Sequence, residues 1–329
     1  MSSVDRATGR QEGERLGTQP LPPARPARLG ALRSRKTAEI ILLLTPALAL
    51  YVLFVLLPVG QSAYYSLFKW NGLEPLTNFV GLDNYRRAFK DTVFLSSLGH
   101  NGFIVVASLV IQLPIGLGLA ILLNRRLKGQ SLLRMVVFAP YVLAEVVAGV
   151  AWLLILQPDG LVDWFFTQLG LGDYVQLWVG DTDVVLYTMF AIITWKYIGF
   201  AVILFLAGLQ GIPKELTEAA KIDGATGWQL TRSITVPLLG PTIRIWVFLS
   251  VIGSIQLFDL IWVMTGGGPA NSSSTAVTYL YIRGFQRSSF GYGSALAVVL
   301  FVISFVFALL YQRYVMRRDV EGSVTRRVG

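Results

Sequence analysis

The residue types that most often carry out chemistry are scarce in this chain of 329 residues. It has no cysteine and a single histidine, His100, so we expect no thiol nucleophile, no metal site and no histidine-based proton relay. It contains neither a Gly-x-Ser-x-Gly nucleophile motif nor a Gly-x-x-x-x-Gly-Lys-Ser/Thr loop for nucleotide phosphates. We therefore predict no catalytic residues and no cofactor bound by this chain.

Two ionisable side chains, Glu145 and Lys196, lie inside stretches that are otherwise apolar. A charged group in the hydrocarbon core of a membrane is costly, so each is a candidate functional residue. Each lies about twelve residues from one end of its stretch, and at about 1.5 Å per helical residue the two have a similar depth. We predict an intramembrane ion pair. Two interpretations remain open: the pair holds two helices together, or Lys196 extends along a water-filled cavity.

The composition is that of a membrane protein, because 54% of the residues are hydrophobic and only 14% are charged. A soluble domain carries about a quarter charged residues. Six stretches are long and apolar enough to cross a bilayer, at about residues 38–58, 101–123, 135–157, 184–209, 242–264 and 294–315. The sequence therefore predicts an all-α, polytopic membrane protein with six transmembrane helices over residues 38–315.

The distribution of Lys and Arg predicts the orientation of these helices. Basic residues are concentrated in the segments that share one side of the membrane, residues 1–37, 124–134, 210–244 and 316–329. By the positive-inside rule, both termini and the loop at 210–241 are cytoplasmic. Residues 1–37 are rich in Pro and Arg and are predicted to be a disordered cytoplasmic tail, with a second tail at 316–329. No aromatic residues are interleaved with the arginines of the first tail, so we expect no nucleic-acid partner.

The polar loop at 210–241, named the Glu-Ala-Ala loop below, has signals for two short helices. Pro213 suits the first turn of a helix that extends to Asp223, and Gly224 is placed to end it in the left-handed conformation. Thr226 with Gln229 forms a capping-box pattern that opens a second helix. Pro237 and Pro241 are predicted to stop that helix before the fifth span.

This loop resembles the cytoplasmic loop of the inner-membrane permease subunits of ABC importers. That loop has Glu-Ala-Ala, a Gly four residues later and Ile-x-Leu-Pro, and Val236 replaces the Leu here. The resemblance implies the type I importer permease fold, with a coupling helix that docks in a groove of a separate ATPase. The implied coupling residues are Glu218, Ala219, Ala220, Asp223, Gly224, Ile234 and Pro237. The alternative is an amphipathic helix on the membrane surface.

Two further segments, Phe79–Tyr85 and the Gly-Gly-Pro turn within Met264–Pro269, resemble the carbohydrate branch of that family. They are similar to the larger-partner type of the maltose and glycerol-phosphate importers. The resemblance implies a bacterial inner-membrane location, a second homologous permease, two copies of an ATPase that binds ATP and Mg²⁺, and an extracytoplasmic solute-binding protein. It also implies that a mono- or oligosaccharide is the substrate. The aromatic residues of the first segment have another interpretation, an interfacial belt in contact with lipid.

In that branch, the segments before the Glu-Ala-Ala loop and before the Gly-Gly-Pro turn line the substrate cavity. The residues implied here combine hydrogen-bonding and aromatic side chains, which suits a sugar: Trp195, Tyr197, Phe200, Gly253, Ser254, Gln256 and Asp259. A plainer interpretation is that the small and polar residues ease helix packing. A second function also stays open, an ion-coupled secondary transporter of a small polar solute, because Glu145 and Asp259 are acidic residues in predicted spans.

Overall fold

The computed structural model describes residues 29–125 and 128–317, and it divides the chain into two units, Met1–Leu57 and Pro58–Gly329. The described part of the first unit is a helix, α1 (Leu29–Tyr51), followed by a π-helical turn at Val52–Leu56. This helix begins before residue 37, the predicted end of the N-terminal tail. The rest of that tail, residues 1–28, and residues 318–329 of the C-terminal tail lie outside the described residues.

The second unit is built from helices that differ widely in length. In chain order they are α2 (Leu57–Tyr65), α3 (Asp83–Ala88), α4 (Thr92–Ala107), α5 (Leu113–Leu123), α6 (Gln130–Val142), α7 (Glu145–Ile155), α8 (Leu161–Gln168), α9 (Val185–Gln210), α10 (Lys214–Ile222), α11 (Gly227–Leu230), α12 (Val236–Leu238), α13 (Gly240–Ile255), α14 (Asp259–Thr265), α15 (Ala276–Tyr281) and α16 (Phe290–Tyr311). Over residues 29–125 and 128–317 the structure has no β-strand, and Phe68 and Phe79 form an isolated antiparallel bridge.

Within the described ranges, four helices are long and apolar enough to cross a membrane: Ile40–Tyr65, Thr92–Leu123, Val185–Gln210 and Phe290–Met316. Two bent pairs raise the number to six if each pair is one span. One pair is α6 with α7, at an angle of 103°, and the other is the segment Gly227–Leu238 with α13, at 65°. We number the spans 1 to 6 in chain order, with α6 and α7 as span 3 and α13 as span 5.

The prediction that span 3 is one helix over residues 135–157 is wrong. The helix ends at Val142, Leu143 and Ala144 are extended with ψ near 142° and 144°, and a new helix begins at Glu145. Glu145 is therefore the first residue of α7 rather than a residue in the middle of a helix. Periodicity could not reveal this break, because Leu143 and Ala144 are as apolar as their neighbours.

The prediction that span 5 is one helix over residues 242–264 is also wrong. It ends at Ile255, and α14 begins after the break, at Asp259. Side chains from other elements donate hydrogen bonds to the backbone carbonyls at this break. Asn101 Nδ2 donates to Ser254 O at 2.6 Å, and Thr275 Oγ1 donates to Leu257 O at 2.7 Å. Broken backbone inside a bilayer is tolerated only where such partners satisfy its polar groups.

Two apolar clusters of the buried core share α9. One apolar cluster joins α4, α7, α9 and α14 and includes Met189, Leu260 and Ile261. A second joins α5, α9 and α13 and includes Phe205 and Trp246. Because α9 contributes to both, it is the central helix around which the functional residues are arranged.

Candidate functional site

A cavity of about 200 Å³ lies between spans 2, 3, 4 and 5. Its lining combines aliphatic side chains with hydroxyl, amide and aromatic groups: Ser108, Gln112, Tyr141, Tyr197, Phe200, Trp246, Ser250 and Ser254 are its polar and aromatic residues. A few polar groups in a mostly apolar concave surface are typical of a site for a small molecule. The mixture can donate and accept hydrogen bonds and can also stack on a flat apolar face.

Four of the predicted path residues line this cavity: Tyr197, Phe200, Gly253 and Ser254. Ser250, Gly253 and Ser254 lie on one face of α13, and all three line the cavity.

Three of the predicted path residues, Trp195, Gln256 and Asp259, do not line this cavity. Gln256 and Asp259 follow the end of α13, and both are exposed. Trp195 packs edge-on against Trp152, with ring centroids 5.3 Å apart. The break in span 5 and the packing of Trp195 thus remove these three side chains from this wall.

Sequence reasoning missed three polar lining residues, Ser108, Gln112 and Tyr141. The first two bound a π-helical turn in span 2, Ser108–Gln112, and both are buried. Their spacing of four in an apolar stretch was a usable signal, because it places two polar groups on one helix face. Tyr141 carried no such signal, since its position depends on the break that follows it.

The structure brings Glu145 and Lys196 together, with Lys196 Nζ at 3.6 Å from Glu145 Oε1. Lys196 is 1% exposed and also donates to two backbone carbonyls, Tyr141 O at 3.0 Å and Leu143 O at 2.5 Å. Tyr197 OH donates to the same carboxylate oxygen at 2.9 Å. The ammonium therefore lies in a closed polar cluster rather than extending along the cavity.

The first helix of the Glu-Ala-Ala loop is α10, which ends as predicted. Gly224 has φ of +81°, in the left-handed region, and its N–H donates to Lys221 O at 3.1 Å. The N–H of Ala225 donates to Ala220 O at 2.9 Å. These two bonds are a Schellman motif, in which a glycine closes the helix at no steric cost.

The second helix of the loop begins with the predicted capping box. Gln229 N donates to Thr226 Oγ1, and Thr226 N donates to Gln229 Oε1 at 2.8 Å. The helical segment runs through Pro237 and ends at Leu238, with the 65° bend before α13. Pro237 therefore does not stop this helix, because a proline near the start of a helical turn needs no N–H partner.

The predicted coupling residues differ in their exposure. Glu218, Ala219, Asp223, Gly224 and Pro237 are exposed, Ile234 is half-buried, and Ala220 is only 9% exposed. Ala220 is thus largely covered by the chain itself.

Two large apolar side chains of the same loop, Ile222 at 86% and Trp228 at 70% exposure, were not among the predicted residues. Such exposure in a loop favours an interaction surface.

At the start of span 2, Asp91 joins three elements of the chain. Its Oδ1 accepts from Val93 N and Phe94 N and caps α4, and its Oδ2 accepts from Tyr279 OH at 2.5 Å and Tyr292 OH at 2.9 Å. Burial alone would raise the pKa of Asp91, but these hydrogen bonds and the nearby Arg283 outweigh it and hold the pKa below its usual value of 3.8. Asp91 is therefore ionised and links the ends of spans 2 and 6.

Comparison with known proteins decides the family. The model of the binding-protein-dependent transport system inner membrane component matches residues 112–320. The chain belongs to this family. It is 36% identical over 281 residues to a probable ABC transporter permease of Pyrococcus horikoshii, covering 85% of this chain and 96% of that one. It is 34% identical over 275 residues to the diacetylchitobiose uptake system permease of Streptomyces coelicolor, covering 80% and 78%.

The fold is that of a solved importer. The crystal structure of a bacterial ABC transporter involved in the import of alginate contains a chain with a TM-score of 0.74 and 23% identity, covering 88% of this permease and 99% of that chain. The resemblance to permease subunits of ABC importers and the all-α, polytopic importer fold are thus confirmed. This permease is a membrane component of a transport system and not an enzyme, and the ion-coupled alternative is not supported.

Proposed function

We propose that this permease forms one half of the translocation path for a sugar in an ATP-driven importer. The observation that carries the proposal is the lining of the cavity between spans 2 to 5, which contains hydroxyl groups, an amide group and aromatic rings. A mono- or oligosaccharide presents hydroxyl groups around its edges and apolar C–H faces, which match these two kinds of lining. The Streptomyces coelicolor relative, named as a diacetylchitobiose permease, supports the same substrate class.

The other parts of the importer are proposed from the family and the surface of the chain. A second, homologous permease would supply the other half of the path. The Glu-Ala-Ala loop, with exposed Glu218, Asp223 and Gly224, would dock on one of two ATPase copies that bind ATP and Mg²⁺. An extracytoplasmic solute-binding protein would deliver the sugar at the opposite end, and both termini would be cytoplasmic. ATP binding and hydrolysis would then drive alternating access to the cavity.

The experiment is an uptake assay in the native host, with the gene deleted and then restored on a plasmid. Radiolabelled maltose, trehalose and N,N′-diacetylchitobiose are the sugar probes, and glycine betaine and glutamate are the non-sugar probes. We expect deletion to abolish uptake of at least one sugar and restoration to recover it. Uptake of glycine betaine and glutamate is expected to stay unchanged. Loss of betaine or glutamate uptake with intact sugar uptake would refute the sugar assignment.

A second measurement tests the assembly. The tagged chain is purified from its native membrane, and the proteins that accompany it are identified by mass spectrometry. We expect a second permease and an ATPase in comparable amounts. A chain recovered alone that transports a solute without ATP would refute the proposal.

A further inference from the structure

Lys196 lies against the break in span 3 and satisfies the carbonyl groups that the break leaves without helical partners. Its ammonium donates to Tyr141 O at 3.0 Å and to Leu143 O at 2.5 Å, at the C-terminal end of α6. The last carbonyls of a helix have no intrahelical donor, and a cation is favoured there by the helix dipole. The side chain is 1% exposed, so water does not compete for these positions.

Glu145 binds the same lysine from the other side of the break. It is the first residue of α7, where a carboxylate is favoured by the positive end of the helix dipole. Its Oε1 lies 3.6 Å from Lys196 Nζ, and among the described residues its buried Oε2 has no hydrogen-bond partner. Lys196 of α9 therefore connects the end of α6, by hydrogen bonds, to the beginning of α7, by an ion pair.

The two halves of span 3 have different main partners, although α7 also contacts α9 through Trp152 and Trp195. α6 lies on α9, so close that a Cβ atom at Gly199 would be 2.6 Å from Val137 O. α7 lies on α14, where a Cβ atom at Gly149 would be 2.8 Å from Val263 Cγ1. Since α14 itself follows the break in span 5, α7 and α14 form a pair that lies beyond both breaks. The break at Leu143 and Ala144 therefore separates two helices that have different main packing partners.

The same cluster is connected to the cavity wall. Tyr141 and Tyr197 line the cavity, and each of their ring centroids is 5.8 Å from Lys196 Nζ. Lys196 donates to the backbone carbonyl of Tyr141, and Glu145 accepts a hydrogen bond from the hydroxyl of Tyr197. A change at the ammonium would therefore move both rings.

We propose that Lys196 is a positioning residue of the translocation path, which fixes the angle of the break in span 3 and thereby the places of Tyr141 and Tyr197. It acts through the two carbonyl groups and not merely as the counter-charge of Glu145. The role of the cavity as a sugar path rests on the proposed function, whereas the fixing of the break does not.

The test measures the distance between α6 and α7 across the break. It uses the full importer, purified with its partners and placed in lipid nanodiscs. The chain has no cysteine, so Leu132→Cys in α6 and Leu154→Cys in α7 give the two sites for spin labels in this chain, and the partners are used without accessible cysteines. Both side chains are exposed, at 60% and 62%. Pulsed electron paramagnetic resonance then reports the distribution of distances between the two labels. We expect one narrow distribution when Lys196 is present and a broad or shifted one in Lys196→Met.

Three further variants separate positioning from charge balance. Glu145→Gln leaves Lys196 on both carbonyls and is expected to keep the narrow distribution. Lys196→Met with Glu145→Gln removes the uncompensated charge, so it is expected to restore the amount of permease in the membrane but not the narrow distribution. Thr194→Val, two residues away on α9, changes a hydroxyl that has no partner in the described structure and serves as the control.

The outcomes decide the proposal. A narrow distribution in Lys196→Met, or its recovery in the double variant, would overturn it, because Lys196 would then only neutralise Glu145. With the sugar found in the uptake assay, Lys196→Met is expected to raise KM about tenfold at equal membrane levels, as expected for misplaced binding groups. If no sugar is transported, the proposed function fails. The distance measurement still tests whether Lys196 fixes the break, because it does not depend on the substrate.

Discussion

Gly199 of span 4 lies so close to Val137 of span 3 that a Cβ atom built on it would be 2.6 Å from the carbonyl oxygen of Val137. Real side chains do not approach backbone to this distance, and small residues are a common means of close helix packing in membranes. The contact places α9 directly against the half of span 3 that ends at the break.

Gly199→Ala is therefore expected to destabilise the permease, by about 1–3 kcal/mol, because an added methyl group overpacks the contact. The measurement is the thermal unfolding of the purified permease in detergent. Gly118→Ala in span 2 is the matched control, since nothing lies within 4 Å of a Cβ atom there. Equal melting temperatures for the two variants would show that the helices can separate at no cost.

Gly224→Ala is expected to weaken the association of the permease with its ATPase. The left-handed φ of +81° at this position costs an alanine about 1–2 kcal/mol, which would distort the turn between α10 and α11. The measurement is the amount of ATPase that co-purifies with the permease.

Gly227→Ala is the control for that experiment, because Gly227 is in the same loop, has no positive φ and has no atom within 4 Å of its Cβ position. If Gly224→Ala retains as much ATPase as Gly227→Ala, the turn is not needed for docking.

Asn101→Leu is expected to lower stability by about 1–3 kcal/mol, because it leaves two buried backbone groups without partners. Asn101 Nδ2 donates to Ser254 O at 2.6 Å, and its Oδ1 accepts from Ala276 N at 2.9 Å. The measurement is again thermal unfolding. Ser97→Ala, one turn earlier on α4, removes a buried hydroxyl that has no partner in the described structure and is expected to be nearly neutral. A neutral Asn101→Leu would mean that another group caps the end of α13.

Asp91→Asn is expected to lower the melting temperature of the permease, because it weakens the link between spans 2 and 6. The size of this decrease is expected to depend on pH. Because the pKa of Asp91 is lowered in the folded state, its ionised form stabilises the protein above its unfolded pKa of 3.8, and this contribution is lost as the pH falls through the lowered value. The difference in melting temperature between wild type and variant should thus be constant from about pH 5 to pH 8 and shrink below about pH 4. A difference that changes around neutral pH would assign the effect to another group.

The sequence by itself determined the structural features that depend only on residues close together in the chain. Six apolar stretches, the end of α10 at Gly224 and the capping box of Thr226 with Gln229 follow from hydropathy and from residues at most a few positions apart. The Glu-Ala-Ala loop also carried enough specific spacing to indicate the family.

The tertiary structure decided the breaks and therefore the cavity. Helix α6 ends at Val142, where Lys196 donates to the carbonyls of Tyr141 and Leu143. Helix α13 ends at Ile255, where Asn101 and Thr275 donate to the carbonyls of Ser254 and Leu257. These partners are far away in the sequence, so no local pattern at Leu143 or Gln256 could show that the helix ends there. The break after Tyr141 brings its ring to the cavity, and the break after Ile255 removes Gln256 from it, because a helix can end inside a bilayer only where the fold supplies donors for its free carbonyls.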